Sequence, residues 1–311
     1  MLRQQYIRPT ATPYPDDNPY SPAKEALGRT LFFDPLLSGS GQHTCATCHD
    51  PKLSFGDHLP LAIGDAGRAM AFRTPSLLDV AFIDRYGWSG KFPTLEKVVF
   101  APITAAGNLN LTEPVLIARL AAMPAYVHAF ATAFPDHAID RKNISLALAT
   151  YVRSIHSPEA PFDRWIMGDE NAISPAAKRG FAIFNGKGNC AQCHSGWSFT
   201  DGSFHDIGIG KGKDIGRGAF FPTSVKLRYA FKTPTLRNVA ERAPYMHDGS
   251  VPTLEAVIDL YDRGGIDRPS RSELIHPLGL TPPEKADLLA FLRTLGGESG
   301  GTQVVAQPAA H

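Results

Sequence analysis

The residues best equipped for chemistry in this chain form two copies of one short pattern: Cys45-Ala46-Thr47-Cys48-His49 and Cys190-Ala191-Gln192-Cys193-His194. At the CxxCH spacing, two thiols add to the vinyl groups of a haem and the adjoining histidine is brought beneath the iron. Redox disulfides and structural zinc also use CxxC. Here the four cysteines are the only ones in 311 residues, none remains for a disulfide, and each pair is followed by histidine. Two covalent c-type haems are therefore expected, held by Cys45, Cys48, Cys190 and Cys193, with His49 and His194 on the irons.

A chain of this length suits two domains of ordinary size. Hydrophobic content of 43% and charged content of 20% are globular values, so a sizeable core can be buried. The formal net charge of +1 argues against nucleic acid or an anionic membrane as partner. No run of 18 apolar residues occurs, so no membrane span is expected. Met1-Leu2-Arg3-Gln4 is not followed by the apolar stretch of a signal peptide. Haem is attached to CxxCH outside the bacterial cytoplasm, so a periplasmic location is expected, with the leader absent from this chain.

The elements that must position these residues read as mainly α, joined by long loops rich in glycine and proline. Residues 1–20 show no periodicity and are expected to form an extended arm. A helix is predicted after Ser21-Pro22, with Ala26, Leu27, Leu31 and Phe32 on one face. Residues 112–133 read as helix broken near Pro124, and 143–155 as a further helix. Prolines at 158 and 161 mark a domain boundary, giving an N-terminal domain at 21–160 and a C-terminal one at 161–297. The second half restarts with a helix after Ser174-Pro175. It continues through a glycine-rich loop at 202–218 and closes with a helix from Pro282-Pro283 to Gly296-Gly297. The tail from Glu298 is expected to be disordered.

An internal repeat ties the halves together. Residues 72–99 align with 231–258 without a gap, at a shift of 159, and 13 of the 28 positions are identical. The halves thus read as duplicated cytochrome c-like haem domains. Extending the register sets Tyr261 opposite Pro102, and Trp88 falls opposite His247. If position 102/261 lies over the iron, one haem gains a ligand and the other, facing proline, stays open to a small oxidant. Met246, His43, His58, His205 and His247 are alternative sixth ligands. Tyr261 and Trp88 also have plainer readings as packed aromatic rings.

The two CxxCH domains, Thr-Pro-Thr-Leu-Arg-Asn at 233–238, Pro-Tyr-Met-His-Asp-Gly at 244–249 and Gly-Trp-Ser-Gly at 87–90 together resemble the bacterial dihaem cytochrome c peroxidase family, from about residue 20 to 296. In that family the electron-storing haem of true peroxidases has an axial methionine where this chain has Tyr261. Tyrosine there marks the MauG branch, whose members use peroxide to oxidise aromatic residues of a partner protein. The resemblance implies that His49 is the proximal ligand of the open haem, that His194 and Tyr261 ligate the second, that Trp88 lies between the haems and that Pro102 faces the open iron. Both branches usually carry a distal glutamate where this chain has Asn108, with Glu113 a possible substitute. The family also has an inter-haem calcium. Its backbone donors would be Arg242 and Pro244, but its side-chain asparagine falls at Arg73.

The expectation is a periplasmic enzyme that uses hydrogen peroxide to form a high-valent dihaem state, which oxidises an aromatic residue, tryptophan foremost, of a partner protein. Two alternatives stand beside it. One is a dihaem cytochrome c peroxidase drawing electrons from a small cytochrome. The other is a non-enzymatic dihaem electron carrier, which requires both irons to be six-coordinate.

Overall fold

The computed structural model of the chain describes residues 2–297. The tail from Glu298, expected to be disordered, lies outside the described residues. The chain divides into two compact units, each built round a pair of crossing helices.

In the first unit, residues 10–86 and 92–156, capping residues determine where the helices begin. α1 (Pro22–Phe33) starts at Ser21, whose side chain accepts from Lys24 N, with proline in the first turn, where no N–H is needed. α2 (Cys45–Cys48) is the first haem motif itself, a single turn closed by a Thr44/Thr47 capping box. α3 (Leu95–Thr104) is capped by Thr94. α4 (Glu113–Ala121) and α5 (Pro124–Ala133) are separated where Pro124 forbids a continuous helix. α6 (Arg141–Arg153) begins at Asp140, slightly earlier than the apolar pattern alone indicates. α1 and α6 cross at Gly28, where an added Cβ would lie 2.0 Å from Ala147 O. Only glycine permits so close an approach, and Phe32 then packs edge-on against Tyr151 at 5.2 Å.

The second unit comprises residues 2–9, 87–91 and 157–297 and repeats the plan. Its helices are α7 (Pro161–Ile166), α8 (Pro175–Asn185), α9 (Leu254–Arg263) and α10 (Pro282–Leu292). α8 and α10 cross at Gly180, where a Cβ would again lie 2.0 Å from a carbonyl, Asp287 O. Phe184 packs edge-on against Phe291 at 5.1 Å. The stretch expected to be a glycine-rich loop is mostly irregular, but it contains β1 (Phe204–His205), which pairs antiparallel with β2 (Phe231–Lys232).

Only the start of the N-terminal arm departs from expectation; residues 7–20 carry no helix or strand. Leu2–Tyr6 forms a 3-10 turn and Tyr6 is 2% exposed, its ring against Phe162, Phe181 and Phe199 and its hydroxyl donating to Asn185 Oδ1. Burying an aromatic ring stabilises by far more than a five-residue turn can signal through periodicity.

Candidate functional site

Each CxxCH motif is held by the same local network. In both copies the histidine N–H donates to the first cysteine's carbonyl at 2.9 Å, so a short turn projects both thiols and the imidazole. His49 Nδ1 lies 3.1 Å from Phe55 O, and His194 Nδ1 lies 2.9 Å from Phe199 O. A carbonyl can only accept, so Nδ1 carries the proton and Nε2 keeps its lone pair for a metal. Burial lowers the pKa of both imidazoles, which holds them neutral, as ligation requires. Burial likewise pushes the Cys45 and Cys190 thiols up to about 12.

The loops behind these histidines are matched residue for residue. Phe55 and Phe199 both have left-handed backbones, with φ of 55° and 53°. The preceding carbonyls, of Ser54 and Ser198, accept from Ser76 Oγ at 2.7 Å and Thr235 Oγ1 at 2.6 Å. Asp79 and Asn238 cap equivalent turns in the left-handed region, and their N–H groups donate to Ile155 O and Leu295 O. Two half-buried thiols beside a neutral histidine with an unprotonated Nε2 make a donor set that fits a covalent c-type haem in each unit.

α3 and α9 have the same length and stand in register across the repeat. Pro102 lies inside α3, and Tyr261 takes the equivalent place in α9. Burial, and then the Cys190 and Cys193 thiols, raise the pKa of the Tyr261 phenol; the ring therefore lies within electrostatic reach of the second motif. Asn108 is half-buried on the loop after α3. Its carbonyl accepts from Asp65 N at 2.7 Å and its N–H donates to Ala105 O. Glu113, the possible substitute, opens α4 and faces Arg141 at 3.5 Å.

Trp88 groups with the second unit. Its carbonyl accepts from Lys232 N at 2.8 Å, and its ring stands at 64° to His247, with centroids 6.4 Å apart. The alternative axial residues have other engagements: His43 with Asp65 at 2.8 Å, His205 with Asp201 at 2.8 Å and His247 with Asp214 at 2.5 Å. His58 is exposed, and Met246 has a left-handed backbone, with φ of 71°, on its turn. Arg73 is buried, and its cationic guanidinium offers no oxygen to calcium. Sequence reasoning missed the Phe55 and Phe199 carbonyls and the Asp214–His247 pair. Phe55 follows its histidine at a spacing one residue longer than Phe199 does, so gapless alignment hides the match.

The fold and the two attachment sites define a dihaem c-type cytochrome. The di-haem cytochrome c peroxidase family model matches residues 22–171, and the cytochrome c model matches residues 177–296. The chain is 48% identical to the Methylamine utilization protein MauG of Methylorubrum extorquens, covering 96% of this chain and 85% of that protein. It is 35% identical to the Cytochrome-c peroxidase IdrP1 of a Pseudomonas species, covering 91% and 83%. A solved MauG-like protein associated with microbial copper homeostasis superposes with a TM-score of 0.87 at 31% identity, covering 97% and 96%. The chain belongs to the dihaem cytochrome c peroxidase/MauG family. It is a haem-dependent oxidoreductase that uses peroxide, with two c-type haems. Among the described residues, no single helix is long and apolar enough to cross a membrane.

Proposed function

We propose that this enzyme uses hydrogen peroxide to oxidise an aromatic residue, tryptophan foremost, of a partner protein in the periplasm. The observation that carries this reading is the contrast between Pro102 in α3 and Tyr261 in α9 at equivalent positions of registered helices. The 48% identity to a methylamine utilization MauG supports it. The haems, when bound, supply peroxide cleavage and storage of its two oxidising equivalents. His49 Nε2 would hold one iron and His194 Nε2 the other, one in each of the two units. Pro102 has no side-chain donor and would leave the first iron open to peroxide. Asn108 holds peroxide through its amide but cannot exchange a proton near neutral pH. Tyr261 Oη would be the sixth donor to the second iron; as a ligand it would have to release its proton to solvent against the effect of burial, and an anionic oxygen favours higher oxidation states than a thioether does. Trp88 gives up and regains an electron, so that the partner is oxidised at the surface.

The test is electron paramagnetic resonance of the resting protein, followed by one equivalent of peroxide without donor. One high-spin and one low-spin haem are expected, then a two-electron-oxidised state that persists until a tryptophan-bearing partner consumes it. Two low-spin signals would sink the reading and favour an electron carrier. The second reading, supported by the peroxidase relatives, is a peroxidase. Rapid turnover with a reduced small cytochrome, and no persistent oxidised state, would establish it.

A further inference from the structure

His247 sits opposite Trp88 in the sequence repeat, and the structure brings the two rings together. Both occupy turns of one design. Tyr86 bridges Phe92 around the first, and Tyr245 bridges Val251 around the second. Gly87 and Met246 take left-handed backbones at φ 77° and 71°, and Gly90 and Gly249 do so at 65° and 64°. The imidazole of His247 presents a tilted ring to the indole, 6.4 Å away at 64°, while two other groups hold it in place. Phe231 stacks on it at 3.6 Å and 15°. Asp214 Oδ2 lies 2.5 Å from Nε2. The imidazole is 3% exposed. The strand that carries Phe231 also fastens Trp88, because the next residue, Lys232, donates its N–H to Trp88 O at 2.8 Å. One short strand therefore fixes the backbone of the tryptophan and the ring plane of its histidine neighbour.

We infer that the Asp214–His247 pair is a positioning and charge-tuning device for Trp88, an inference that rests on the electron-relay reading above. Asp214 accepts the proton on Nε2, so the carboxylate lies one imidazole away from the indole. When Trp88 loses one electron it becomes a radical cation, which a nearby anion stabilises; the imidazole between them is nearly buried, while the carboxylate is 35% exposed. In this step one electron leaves the indole and one later returns; no bond forms or breaks, and the indole keeps its proton. Asp214 lies in the long segment of the second half between β1 and β2, which has no equal in the first half. The device therefore belongs to one side of the duplication only.

The test uses the dihaem protein treated with one equivalent of peroxide and freeze-quenched for electron paramagnetic resonance. Trp88's contribution is defined as the radical signal lost in Trp88→Phe. Asp214→Asn keeps size and an acceptor oxygen but removes the charge. It is expected to lower that signal at least tenfold, while melting temperature and resting haem spectra stay as in wild type. His247→Gln, which removes the ring, should lower it as well. A wild-type radical yield in Asp214→Asn would overturn the inference and leave the relay reading intact. If Trp88→Phe removes no signal at all, the relay reading fails and this inference fails with it.

Discussion

Tyr261 carries the most weight of any single residue, and its surroundings say what replacing it should do. The phenol is raised by burial and by two neighbouring thiols, so only a strong Lewis acid makes it a phenolate ligand. Tyr261→Met is expected to retain both haems, because thioether attachment does not depend on the sixth ligand. It should raise the potential of the second haem and abolish the long-lived oxidised state; redox titration and stopped-flow spectra measure the two effects. Unchanged potentials would make Tyr261 a packing residue and return the ligand to Met246 or a histidine. The two motif histidines were legible from CxxCH, but their orientation was not. What fixes each ring is a main-chain carbonyl, of Phe55 or Phe199, and any residue type supplies one.

At the scale of elements, the two helix crossings are the most stringent packing in the fold. Gly28 and Gly180 each leave no room for a methyl group, with a carbonyl 2.0 Å from the would-be Cβ. Gly28→Ala or Gly180→Ala should force the helices apart and cost about 1–3 kcal/mol, lowering the melting temperature of the dihaem protein by several degrees; thermal unfolding followed by circular dichroism checks this. An unchanged transition would mean that the crossings relax at no cost. The helices themselves were readable because their caps are local: Ser21, Thr94, Asp140, Ser174, Thr253 and Thr281 each accept from the backbone of their own first turn. The crossings were not readable, because a glycine inside a helix does not say what approaches it.

For the molecule as a whole, the N-terminal residues are stitched into the second unit by charge as well as by Tyr6. Arg237, with 0% side-chain exposure, pairs with Asp163 at 2.7 Å. Asp163 also meets Arg8 at 3.0 Å and caps α7 by accepting from Ala160 N. Asp163→Ala would leave the fully buried guanidinium without its carboxylate. Removing one partner of such a pair costs about 3–5 kcal/mol, which corresponds to a fall in melting temperature of roughly 5–8 °C for a protein of this size. A drop of a degree or less would mean that water or a neighbouring carbonyl replaces the carboxylate.

Sequence alone determined what is covalent, local or duplicated. It specified two haem attachment sites, the capped helices around them, and a 28-residue repeat that sets Trp88 against His247 and, with its register extended by three residues, Tyr261 against Pro102. Each of these is written in residue types at short or constant spacing. Tertiary structure decided everything that depends on which distant segments meet. It placed Tyr6 in the second core instead of on an extended arm, and it chose which carbonyls orient the histidines. It also brought Asp214, from a segment without a repeat partner, to the imidazole beside Trp88. Those contacts join residues far apart in the chain, and they form only because burying aromatic surface and pairing buried charge outweigh the local preferences of the segments that carry them.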